Sequence, residues 1–319
     1  MQVSTSLRRI TFALLLSGPV VATPAALEAQ LSGPGPEGRW PLQPASPGNR
    51  TLAPFMEGWY ENEDGSFSVS FGYLNANEDT LYIPVGADNF IEPAQFNGMQ
   101  PTVFFPGHHR GLFTAELPAG MKDQDVVWTI RKSNGDVTSV PGRVSSNAYQ
   151  LDWYPRPHGS IPPRVSFDSQ NSAGRGPPGI LAERTLTASV GTPITLSVNA
   201  MDPSERDQND FRFAEALPIH AVWSQLQGPG PVAYSRHQSN PQVEAEADGG
   251  SNNRPPRPPP GPEVIPLIAG EGTARVIATF SAAGEYLMRV RVDNFNSADS
   301  SDGDQCCWTN GYVRVHVTP

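Results

Sequence analysis

The chain has 319 residues, with 38% hydrophobic and 17% charged, both below the roughly 45–50% and about 25% of average globular proteins. Gly (30) and Pro (34) together make a fifth of it, and both interrupt helices, which excludes a helical bundle or a large helix-rich enzyme fold. A net charge of −10 disfavours a nucleic-acid partner. Past residue 30 no apolar stretch reaches the roughly 20 residues that span a bilayer, so no membrane insertion is expected.

Residues 1–29 read as a secretory signal. Arg8 and Arg9 precede a short apolar run, Ile10–Ala22, and small residues follow to Ala29. The expected location is therefore exported, periplasmic or extracellular. Residues 30–49 are rich in Gly, Pro and Ser and form a flexible lead-in, with Trp40 as its one large apolar group.

From 50 to 152 strand signals dominate. Ser66–Asn75 alternates, with Phe67, Val69, Phe71 and Tyr73 on one face and Ser68, Ser70 and Gly72 on the other. Asp64-Gly65 before it is a hairpin-turn signal. Further strands are expected at Thr80–Val85, Thr102–Phe105, Gly111–Leu117, Val126–Lys132 and Val137–Pro141, with Asn134-Gly135 turning between the last two. Such spacing predicts an antiparallel sandwich. Trp59-Tyr60 reads as core aromatics at a strand start, with an exposed contact as the alternative.

Residues 153–182 are proline-rich and read as an extended interdomain linker, with Val165–Phe167 as a short edge strand. A second strand-rich region runs from 183 to 319. Its strands are Thr185–Val190, Pro193–Ala200, His220–Gln227, the hairpin Ala274–Phe280 with Glu285–Asp293, and Gly311–Thr318. The insertion 240–266 carries the run Arg254–Pro262, a polyproline II excursion. Tyr286, Met288, Val290 and Val292 share one face of their strand, while Leu287, Arg289 and Arg291 lie on the other.

This second region resembles the PKD-like and related immunoglobulin-like domains of secreted bacterial proteins. The matching residues are Val190-Gly191-Thr192-Pro193-Ile194-Thr195-Leu196, Asp202-Pro203, Trp223 to Val232, and Ala278 to Leu287 followed by Arg289 to Asp293. The likeness covers 185–319 and implies a β-sandwich accessory module, usually non-catalytic. The proline-rich insertion and the stretch Asn294–Trp308 depart from the pattern. Trp223, mid-strand, suits the space between two sheets.

Several constellations are candidates for chemistry. Cys306 and Cys307 are adjacent, and in an exported chain they are expected to be oxidised to a vicinal disulfide. With Trp308 beside it, that ring offers an apolar platform for a sugar or other flat ligand. A structural pin before the last strand is the plainer alternative. Asp293, Asp299, Asp302 and Asp304 crowd one loop and are weak Ca²⁺ candidates, since their spacing does not fit an EF-hand. The stretch Asp202–Asp210 carries the same ambiguity. His108-His109-Arg110 reads as a polar turn, because adjacent strand residues face opposite ways and no third ligand is evident. There is no Gly-x-Ser-x-Gly, and His158-Gly159-Ser160 lies in the proline-rich segment, where rigidity is not expected. Glu57, Glu61, Glu63 and Asp64 are acids near a hairpin, without the paired geometry glycoside hydrolysis needs.

The sequence thus predicts an all-β chain of two immunoglobulin-like antiparallel β-sandwich domains joined by a proline-rich linker. The expected work is an exported, non-catalytic adhesion, scaffold or accessory-binding role with a protein or glycan partner and no cofactor. The alternatives are a carbohydrate-binding module built on Cys306, Cys307 and Trp308, and a secreted hydrolase with an unrecognised site.

Overall fold

Eight strands build the N-terminal half: β1 (Leu52–Glu61), β2 (Phe67–Asn75), β3 (Leu81–Tyr82), β4 (Asn89–Glu92), β5 (Val103–Phe104), β6 (Gly107–Leu117), β7 (Val126–Arg131) and β8 (Val137–Gly142). They belong to a computed structural model that describes residues 50–151, 154–167, 173–241, 260–297, 299–301 and 306–319. The expected export signal, the lead-in with Trp40, residues 242–259 of the proline-rich insertion, and Asp302 and Asp304 lie outside the described residues.

Both predicted Gly turns form. Gly65 donates to the Asn62 carbonyl at 2.9 Å and closes the β1–β2 hairpin, and Gly135 does the same to Lys132 between β7 and β8. Both glycines have left-handed φ, 78° and 91°, which a side chain would oppose. One sheet runs β1-β2-β6 and its partner β4-β7-β8, with a small β3-β5 ladder beside them. Phe67, Val69, Phe71 and Tyr73 enter the core, as the alternation predicts. Trp128 sits at its centre, edge-on to Phe71 and Phe113, and its indole N–H donates to Asn89 at 2.9 Å. Trp59 is buried in the same core.

The C-terminal half contains β9 (Arg164–Ser166), β10 (Ile180–Leu181), β11 (Leu186–Ser189), β12 (Ile194–Met201), β13 (Ile219–Gln227), β14 (Val232–Arg236), β15 (Val264–Leu267), β16 (Glu271–Phe280), β17 (Gly284–Asp293) and β18 (Trp308–Thr318). One sheet runs β14-β16-β12-β9 and the other β10-β18-β17-β13-β15, with β11 parallel on β18. Leu196, Val198, Val276 and Phe280 meet Trp223, Met288, Val290 and Val315 between the sheets.

The two halves share a pairing scheme. In each, the last two strands pair with an earlier one (β8-β7-β4 and β18-β17-β13), and the strand before them pairs back into the other sheet (β6 on β2, β16 on β12). That is the Greek-key arrangement of immunoglobulin-like sandwiches.

The proline-rich segment joins the halves and does more than span them. Its β9 extends one C-terminal sheet beside β12, and its β10 pairs in parallel with β18. The sandwiches also touch directly. Leu226, Leu287 and Tyr312 of the second belong to the buried apolar cluster of the first. On the face of β17 that carries Leu287, Arg289 and Arg291, the first two are therefore covered: Leu287 is 3% and Arg289 7% exposed.

Candidate functional site

Cys306 and Cys307 are bonded to each other, as their adjacency suggests. Trp308, which follows, opens β18 opposite Asp293. Its ring lies against Gly111 of β6, where a left-handed φ of 50° and the indole leave no room for a side chain. Phe295 meets it edge-on at 5.9 Å. Trp308 is 1% exposed and Cys307 fully buried, so the expected platform presents no stacking face in this arrangement. The physical reason is the first sandwich, which covers it.

Beside Trp308 lies a buried polar joint. Arg289 donates through Nε to Asn310 Oδ1 at 2.9 Å and through Nη2 to the Gly111 carbonyl at 3.1 Å. Asn310 Nδ2 donates to the same carbonyl at 2.7 Å and to the Pro177 carbonyl at 2.8 Å. Tyr312 donates to the Leu112 carbonyl at 2.8 Å. Burial pushes the Arg289 guanidinium down to about 10, which still leaves it cationic at neutral pH. Glu57 completes the region: its Oε2 accepts from the Gly111 N–H at 2.6 Å, and Arg110 lies 3.7 Å from Oε1. Of the other acids near that hairpin, Asp64 caps Ser66 of the turn. Glu57 and Asp64 therefore serve structure.

The other sequence candidates are also engaged within the fold. His108 packs on Phe55 and His109 on Tyr73, and His109 Nε2 sits 3.0 Å from the Pro106 carbonyl. Burial, with Arg289 and His108 nearby, holds the His109 imidazole below its ordinary range. Asp293 pairs with Arg291 at 3.1 Å and lies 3.8 Å from His220. Asp299 accepts from the N–H groups of His158 and Ser160 at 3.0 and 3.4 Å and from the Ser160 hydroxyl. Among the described residues no three His, Cys, Asp or Glu gather as a metal-ligand group.

His158-Gly159-Ser160 is not loosely held. Ser160 is fully buried, donates to Asp299, and accepts from Arg206 Nε and Nη2 at 3.2 and 3.1 Å. A hydroxyl so engaged is a brace and is unavailable as a nucleophile.

Arg206 is the hub of that brace. It belongs to the excursion 202–218 between β12 and β13, and it also reaches Asp202 at 2.9 Å and Ser297 at 3.0 Å. Its guanidinium and that of Arg212 lie over the buried Phe213 ring. Asn294 Nδ2 donates to the Ile161 carbonyl at 3.0 Å, tying in the turn that follows β17. The loops at this end of the C-terminal sandwich are thus cross-linked by charge-assisted hydrogen bonds, which are stronger than neutral ones.

On this braced base stand exposed apolar groups: Phe211 at 89%, Ile268 at 61% and Met201 at 39%. A cleft of about 400 Å³ opens between the excursion and the turn after β15, lined by Met201, Phe213, Leu217, Ala269, Glu215 and Glu271 among others. Sequence reading treated Asp202–Asp210 as an acidic stretch and missed this surface. The available signal was Phe211 in a polar run, next to charges that would find partners.

No family model matches the sequence, and no curated protein matches it. Among solved structures the chain is similar to "D0-D1 domain of Intimin", at 11% identity over 82% of this chain and 97% of that one, with a TM-score of 0.23. It is similar also to "D00-D0 domain of Intimin", at 11% identity over 83% and 99%, TM-score 0.22. A third, "Anomalous substructure of Titin-A168169", stands at 10% identity over 84% and 100%, TM-score 0.18. At such TM-scores the likeness assigns no residue a role. Among the described residues no helix is long and apolar enough to cross a membrane.

Proposed function

We propose that this chain is an exported, non-catalytic binding protein of adhesion or scaffold type that recognises its partner through the loop end of the C-terminal sandwich. In this reading residues 50–152 and 183–319 are two domains, the second a PKD-like module. The observation that carries it is Phe211, 89% exposed on an excursion locked by Arg206. A large aromatic held in solvent by a rigid frame loses little conformational entropy on binding, and such groups dominate interface energetics. Loops clustered at one end of a sandwich are also where immunoglobulin-like folds place their binding residues.

The test is retention of labelled mature protein on the envelope of cells that lack the gene. A Phe211→Ser/Ile268→Ser variant with an unchanged melting temperature should lose that retention. Equal retention by the variant, or turnover of a polysaccharide or ester by the parent, would overturn the reading. Glycan binding that survives in this variant and vanishes in Trp308→Ala would restore the carbohydrate-module alternative.

A further inference from the structure

The cleft beside Phe211 differs from its surroundings in how its acids are used. Asp202 is paired with Arg206 and Asp210 with Arg212. Glu215 and Glu271 both line the cleft, one on the excursion and one at the start of β16, and neither has an ion-pair partner among the described residues. The same cleft is lined by the apolar Met201, Leu217 and Ala269, together with Ser204 and Gln208. Met201 and the neighbouring Ile268 continue that apolar surface into solvent.

A cleft that holds apolar side chains together with two carboxylates lacking ion-pair partners among the described residues is complementary to one type of protein side chain. Lysine and arginine lay their methylenes on apolar surface and keep the charged head at its edge. We infer that this cleft takes an Arg- or Lys-bearing segment of a protein partner, with the stem on Met201, Leu217 and Ala269 and the cation between Glu215 and Glu271. The inference rests on the loop end being the binding surface and adds the chemistry of what binds. The cleft's net charge argues against an acidic ligand, since Arg206 is already neutralised by Asp202. The chain's overall charge of −10 adds attraction at long range, which speeds encounter with a basic partner and fades with salt.

The probe is N-acetylated, C-amidated tri-arginine, titrated into the full mature chain at low salt and followed by NMR or calorimetry. Tri-glutamate is the charge control. The Glu215→Gln/Glu271→Gln variant should bind tri-arginine about three- to tenfold more weakly, the range expected for two exposed ion pairs. Met201→Ser should weaken it as well, because the stem loses its wall. Asp88→Asn/Glu92→Gln on the N-terminal sandwich removes the same charge elsewhere and should change binding less than about twofold if the local pair matters. Equal losses in the two double variants would mean diffuse attraction and overturn the proposal, as would no saturable binding, or tighter binding of tri-glutamate. If the cleft variants leave tri-arginine binding unchanged while Phe211→Ser/Ile268→Ser still abolishes envelope retention, the loop end remains the binding surface and only the basic partner is refuted.

Discussion

The two faces of β17 are built on different principles. Inward, Tyr286, Met288, Val290 and Val292 meet Trp223 and the facing sheet in an apolar layer. Outward, Leu287 and Arg289 meet the first sandwich, and there the contact is fixed by hydrogen bonds from Arg289, Asn310 and Tyr312 to backbone carbonyls. Apolar burial is strong but has no direction. Hydrogen bonds in a buried place are demanding in geometry, and each unmade one is costly. The inner face therefore supplies stability, while the outer face sets one orientation between the sandwiches.

Substitutions should separate the two roles. Trp223→Ala empties the inner layer and should destabilise the chain by about 3–5 kcal/mol, read by chemical denaturation. Arg289→Met keeps the bulk of the outer face but leaves the Asn310 side-chain oxygen without its Arg289 donor. It should cost about 1–3 kcal/mol. Its signature is a change in cooperativity: the parent should melt in one calorimetric transition and the variant in two, one per sandwich. A parent that already melts in two would show that the polar joint does not couple them.

A smaller effect belongs to the braced loops. Burial raises the Asp299 carboxyl, but hydrogen bonds from Ser160 and the His158 N–H outweigh it and hold the group below its ordinary value. A depressed carboxylate stabilises the fold above its unfolded pKa of about 3.9, and that contribution is lost as pH falls through the lower folded value. Asp299→Asn should therefore lower stability at pH 7 and flatten the loss of stability below about pH 4, seen in acid titrations of tryptophan fluorescence. An unchanged acid limb would show that the brace does not depend on this charge. Smallest of all, Phe211→Ser should alter the unfolding free energy by no more than about 0.5 kcal/mol, since the ring touches solvent and little else. A larger loss would mean that Phe211 is structural.

Much of the strand pattern was legible in the sequence because it obeys local rules. The alternation of Phe67 to Tyr73, the Asp64-Gly65 and Asn134-Gly135 turns, and the hairpin around Gly284 all follow from the period of a strand and the φ values open to glycine. β1 and β14 were harder to read. Leu52–Glu61 holds a proline and a bulge between Met56 and Gly58, and both obscure its alternation. Tyr234 of β14 lies beside a long insertion that breaks the strand spacing.

The sequence by itself determined an all-β chain of two sandwiches, the pairing of Cys306 with Cys307, and the placing of Trp223 between sheets. Each of these is decided by residues close in the chain or by a single apolar periodicity. Only the tertiary structure decided that Trp308 is enclosed, that Arg289 is buried, that Ser160 is locked by Arg206 and Asp299, and that Phe211 stands in solvent. The first three of those outcomes depend on contacts between residues 46 to 197 positions apart. No local pattern encodes whether the second face of a strand meets water or another sandwich, because that depends on what folds against it.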